Sequence, residues 1–107
     1  AYMYGMASQL SNATIDALAK YFSHQKTGPG KPHPAAEVAA GDKIFHHGIP
    51  SQGVPACAAC HGPQGLGSKQ FPRLAGQHAK YIMKQLQSFQ SNMRQVAIMH
   101  GVATTLP

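Results

Sequence analysis

The sequence predicts an all-α fold, and three observations carry that prediction. Three segments place apolar residues at helical spacing, and no segment alternates apolar and polar residues as a half-buried strand would. The stretches between them are rich in Gly and Pro. A chain of 107 residues, 43% hydrophobic and without Trp, builds only a thin core. Three main helices around a large bound group suit that composition, although composition alone does not require the group.

The first helix is expected from about Ser11 to His24. Ser11 or Asn12 can cap it, and Ile15, Leu18, Ala19 and Phe22 share one face. Gln25 to Pro34 holds Gly28, Pro29, Gly30, Pro32 and Pro34, a composition that no helix survives, so it reads as a linker. A second helix follows from about Ala35 to His47, with Val38, Gly41, Ile44 and Phe45 near one side. Gly41 weakens an isolated helix by about 1 kcal/mol relative to Ala; a second helix crossing closely there would explain it. The third helix spans about Gln77 to Gln90, with Ile82, Leu86 and Phe89 as its apolar stripe.

The formal charge is +6, from nine Lys and Arg against three acids. The basic residues are scattered and form no run of the kind that binds nucleic acid. A generally solvated surface outweighs an acidic redox partner as their explanation. No run approaches the roughly 18 apolar residues of a membrane helix, so the module reads as soluble, with any tether in sequence outside it. The chain opens Ala-Tyr-Met-Tyr-Gly, without initiator Met or signal segment, and reads as mature or excised.

Between the second and third helices stands Cys57-Ala58-Ala59-Cys60-His61. Two thiols at this spacing can form thioethers to the two vinyl groups of one haem, and the adjacent His reaches the iron from the same face. Cys57 and Cys60 are therefore the expected attachment residues of one haem c, and His61 the proximal ligand. A zinc site normally needs four ligands, and no second Cys pair supplies them. A thioredoxin-like pair belongs in a βαβ setting, which this sequence lacks.

The chain's ends resemble each other. Aligning Tyr2–Ser11 with Ile98–Pro107 matches Met3 to Met99, Gly5 to Gly101, Ala7 to Ala103 and Leu10 to Leu106. The pattern Met-x-Gly-x-Ala-x-x-Leu thus recurs about one small domain apart. It divides the chain into three parts. Residues 1–24 are the C-terminal portion of a preceding module or a permuted last helix, 25–34 are the Gly/Pro linker, and 35–107 are the haem-binding module.

Gly53-Val54-Pro55-Ala56-Cys57-Ala58-Ala59-Cys60-His61-Gly62-Pro63, then Gly65 and Gly67, carry a family resemblance. It continues through Phe71-Pro72-Arg73-Leu74-Ala75-Gly76-Gln77-His78, Tyr81, Gln85-Leu86 and Phe89. In these residues the sequence resembles class I c-type cytochromes, and particularly the bacterial two-haem group called cytochrome c-four. The resemblance implies the class I fold and a sixth iron ligand, a Met thioether from a loop after the third helix. Met99 holds that place here. Met3 holds the equivalent place in the preceding module and is the alternative. The resemblance also implies that the Pro72 carbonyl accepts a hydrogen bond from His61. Arg73 would neutralise a haem propionate, which Gln77 or Tyr81 would also reach.

Met83 and Met93 read as fillers of core or haem-edge space, Met6 as a packing residue, and His46, His47 and His100 as surface residues. The function expected is single-electron transfer with His/Met ligation, which leaves no open position for substrate. The chain is then no enzyme itself. The alternative is an electron-transfer domain or subunit of a periplasmic oxidoreductase complex; an array of repeated modules is a third class. Donor and acceptor redox proteins, a second cytochrome module or a membrane oxidase are the expected partners, and the bacterial periplasm the expected place. In class I cytochromes the last helix crosses the first. Here the helix of last-helix type comes first in the chain. Either it packs on a preceding module, or the chain is a circular permutant in which Ser11–His24 crosses Ala35–His47.

Overall fold

The computed structural model describes residues 2–107. It contains α1 (Tyr2–Ala7), α2 (Asn12–Ser23), α3 (Ala35–His47), a 3-10 turn (Pro50–Gln52), α4 (Ala58–His61), α5 (Ala79–Gln90) and α6 (Ala97–Thr105). Among the described residues the extended pairing is one isolated antiparallel bridge, Ile49 with Val54. The class is all-α, as expected.

Local chemistry sets the boundaries of the three expected helices. Ser11 caps α2, its hydroxyl accepting the Thr14 amide at 3.2 Å. Pro34 precedes α3 with φ −54°, close to helical. Gly48 ends α3 at φ +66°, its amide donating to the Ile44 carbonyl at 2.8 Å. A Cβ on Gly48 would collide with the Val54 carbonyl oxygen, so no other residue fits there. α5 starts two residues later than expected because His78 is extended, with ψ 134°.

α6 corrects an expectation. Met99 was placed in a loop, yet it lies in the first turn of a nine-residue helix. Gly101, Val102, Thr104 and Thr105 are poor helix formers, and no side chain caps the start. α5 stabilises it instead. The Gln90 side-chain amide donates to the Ala103 carbonyl at 2.8 Å, and His100 Nδ1 donates to the Phe89 carbonyl at 2.7 Å. Phe89 and Ala103 are buried in that contact, at 7% and 0% exposure.

Only Val54, Phe89 and Ala103 form the buried apolar core among the described residues. Ile44, Phe45, Phe71, Leu74, Ile82, Leu86 and Val102 are half-buried around it. The N-terminal part stands apart, with no buried residue in α1 or α2. The radius of gyration is 15.8 Å, against about 13 Å for a compact chain of this length. Phe22 is 65% exposed, and nothing lies within 4 Å of a Cβ built on Gly41. The crossing of α2 over α3 that a permuted arrangement requires is not formed in this structure. The linker instead runs against the loop before α5, where Thr27 meets Gly76.

Candidate haem site

α4 concentrates the motif into one turn. Cys57 is its N-cap residue, and the His61 amide donates to the Cys57 carbonyl at 2.9 Å. Residues three and four apart share a helix face, so Cys57, Cys60 and His61 point to one side. Both thiols are free; Cys57 is half-buried and Cys60 exposed. Burial pushes the Cys57 thiol above its ordinary pKa of 9.0, so it is protonated at neutral pH.

His61 is the buried polar residue of the core, at 6% exposure. Its Nδ1 lies 2.8 Å from the Pro72 carbonyl oxygen. A carbonyl only accepts, so Nδ1 carries the proton and Nε2 presents its lone pair. The Phe71 ring stands edge-on to the imidazole, with centroids 6.1 Å apart. Together these contacts fix the plane and orientation of the ring.

The loop between α4 and α5 brings Pro72 to His61. Gly67 adopts φ +77° and donates its amide to the His61 carbonyl at 2.8 Å. A Cβ there would lie 2.6 Å from the Phe71 carbonyl oxygen and 2.8 Å from Pro72 C. The Gly65 carbonyl accepts the amides of Leu74 and Ala75 at 2.8 and 2.9 Å. The glycines spaced along this loop are thus the means by which it doubles back on the imidazole.

Met99 is half-buried on α6, whereas Met3 is 73% exposed on α1. Arg73 is exposed, with Nε donating to the Ala75 carbonyl at 3.1 Å, which leaves its terminal nitrogens free for an anion. Gln77 is exposed, and its side-chain oxygen accepts the His78 amide at 3.0 Å. Tyr81 is 48% exposed. Met83 and Met93, expected to fill core or haem-edge space, are 60% and 86% exposed.

Two histidines have contacts that the sequence did not show. His46 lies on the surface as expected, but its Nε2 donates to the Pro63 carbonyl at 2.9 Å, joining α3 to the loop after the motif. Its Nδ1 faces the Asp42 carbonyl at 3.1 Å and the Asp42 carboxylate at 3.2 Å. The Pro63 contact, then the Asp42 carbonyl, raise its pKa above 6.5. His100, expected to face solvent, is half-buried and bonded to Phe89.

The donor set fits haem c. It offers two free thiols three residues apart, an imidazole with its proton fixed on the far nitrogen, and half-buried apolar side chains that a large apolar group would finish covering. No cluster of three or more His, Cys, Asp or Glu able to hold a metal occurs among the described residues.

Comparison with known proteins agrees. The family model for cytochrome c matches residues 38–106. Cytochrome c4 of Stutzerimonas stutzeri is 43% identical over 110 residues, covering 97% of this chain and 52% of that protein. The thiosulfate dehydrogenase electron acceptor of Thiomonas intermedia is 41% identical, covering 96% of this chain and 50% of that one. In structure, the chain resembles cytochrome c4 of Acidithiobacillus ferrooxidans with a TM-score of 0.88 at 38% identity. That match covers 99% of this chain and 62% of the other. The chain spans about half the length of the curated relatives it matches.

Proposed function

This chain belongs to the cytochrome c family, and from that premise we propose that it is a single-electron carrier with one haem c held by Cys57, Cys60 and His61. The observation that carries the proposal is the turn holding all three residues, with His61 Nδ1 donating to Pro72 at 2.8 Å. When bound, the haem supplies an iron that changes oxidation state by one electron.

The residues of the chain do the rest. Cys57 and Cys60 hold the group covalently, and His61 presents Nε2 with its ring orientation fixed. Met99 would supply a thioether sulfur as the second protein ligand. Its half-burial on a helix anchored to α5 favours it over Met3, which is 73% exposed. With His61 and Met99 both serving as its ligands, the group would be left for electron transfer, and the chain would pass electrons without catalysing a reaction. A Met/His pair also raises the reduction potential. Arg73, assisted by Gln77 and Tyr81, offsets propionate charge. Phe45, Leu86 and Phe89 exclude water from the haem.

The partners are redox proteins that donate and accept single electrons, and the place is the bacterial periplasm. No helix among the described residues is long and apolar enough to cross a membrane. The exposed α1–α2 segment and the terminal repeat support the two-module reading, in which residues 1–24 finish a preceding module and 35–107 hold this haem. A second reading is service within a dehydrogenase complex. It is favoured by the likeness to the thiosulfate dehydrogenase electron acceptor.

An intact mass with a visible spectrum tests the proposal. One haem retained per chain after denaturation, with a low-spin spectrum in both oxidation states, is expected. Haem lost on denaturation, or a high-spin ferric form, would overturn it.

A further inference from the structure

We infer that His100 is a positioning residue for the axial methionine: its imidazole fastens the first turn of α6 to the end of α5 and thereby holds Met99 in place. The inference rests on the assignment of Met99 as the ligand.

His100 Nδ1 lies 2.7 Å from the Phe89 carbonyl oxygen, across a separation of 11 residues. The acceptor is a carbonyl, so Nδ1 donates in either charge state of the ring. Phe89 belongs to the last turn of α5, whose carbonyls have no partner further along the helix. Its carbonyl also takes the Asn92 amide at 3.2 Å.

That end of α5 is itself held firmly. The Phe89 side chain is 7% exposed, and the Arg94 guanidinium lies 4.8 Å from its ring centroid. Arg94 also donates to the Gln85 side chain at 2.8 Å, and its backbone amide to the Ser88 carbonyl at 3.1 Å. His100 therefore anchors to a point that several contacts hold.

α6 needs such an anchor. It has nine residues and no side-chain cap at its start, and an isolated helix of that length is not stable. Two polar tethers from its residues reach α5: His100 to Phe89 near the start, and Ala103, which accepts from Gln90 at 2.8 Å, near the end. Only the first lies beside Met99. Without it the first turn is free to fray, and the thioether is released more readily.

The test uses the ferric haem-loaded protein, with added imidazole as a competing ligand and the Met-to-ferric-iron absorption band as readout. His100→Leu removes the donor at similar volume, and imidazole should then displace Met99 at a concentration about two- to tenfold lower, the range one hydrogen bond is worth. His100→Asn keeps an N–H at the δ position and should restore the wild-type midpoint. Gln90→Leu cuts the distal tether and should lower the melting temperature while leaving the imidazole midpoint unchanged. Equal midpoints for wild type and His100→Leu would overturn the inference, as would failure of His100→Asn to restore what His100→Leu loses. If His100→Leu does not fold, His100→Gln, with its donor one bond further out, replaces it in the same comparison. Met99→Ala separates the two levels: a band surviving in that variant overturns the ligand assignment, whereas a band lost there with an unmoved His100→Leu midpoint overturns the positioning role alone.

Discussion

His46 faces acceptors on both sides, the Pro63 carbonyl at 2.9 Å from Nε2 and Asp42 about Nδ1. Only the imidazolium donates from both nitrogens, so its folded pKa lies above the ordinary 6.5. A raised folded pKa means that this contribution is complete below about pH 6.5 and is lost as pH rises through the folded value. Melting curves of wild type and His46→Leu should differ most in acid and converge in alkali; a gap that is constant or widens with pH contradicts this. Gly67 makes a second prediction. A Cβ there would sit 2.8 Å from Pro72 C at φ +77°, so Gly67→Ala should destabilise the protein by about 1–3 kcal/mol in denaturant titration. It should also shift the His61 ring resonances as the Pro72 contact moves. Cys57, Cys60 and His61 were readable as a candidate site because the chemistry proposed for them follows from adjacency in sequence. His46 and His100 were not. Their partners lie 17 and 11 residues away, and no local pattern announces a side chain bonded to a distant carbonyl.

Among the elements, α2, α3 and α5 were legible because each carries its own signals: Ser11 as a cap, Pro34 at the end of the linker, and the stripe of Ile82, Leu86 and Phe89. α6 was hidden because its helicity comes from packing. Its residues favour a helix weakly, and the buried pair Phe89 and Ala103 makes up the difference. Phe89→Ala should therefore cost about 3–5 kcal/mol and unravel α6 ahead of α3. Hydrogen exchange at the amides of α6 checks the order. Equal protection losses in α3 and α6 would show that the two helices share one cooperative unit.

At the scale of the molecule, α1 and α2 contribute no buried residue to the core. Tyr2, Tyr4, Tyr21 and Phe22 are all at least 60% exposed, more apolar surface than a lone domain commonly leaves uncovered in one segment. Deleting residues 1–24 should leave the haem spectrum unchanged and the melting temperature within a few degrees; a collapse of either would show that α2 packs on the haem module in solution. The terminal repeat was readable in the sequence, and the first part of each copy is helical, Tyr2–Ala7 in α1 and residues 98–105 in α6. The detachment of α2 from α3 was not readable, since amphipathic spacing shows that a face needs a partner without saying which. The central claim is that His61 and Met99 hold the iron between them. Its most direct test is the Met-to-ferric-iron absorption band in Met99→Ala and Met3→Ala, each prepared as the haem-loaded chain. The band should vanish in Met99→Ala and persist in Met3→Ala, and the reverse result would contradict the account.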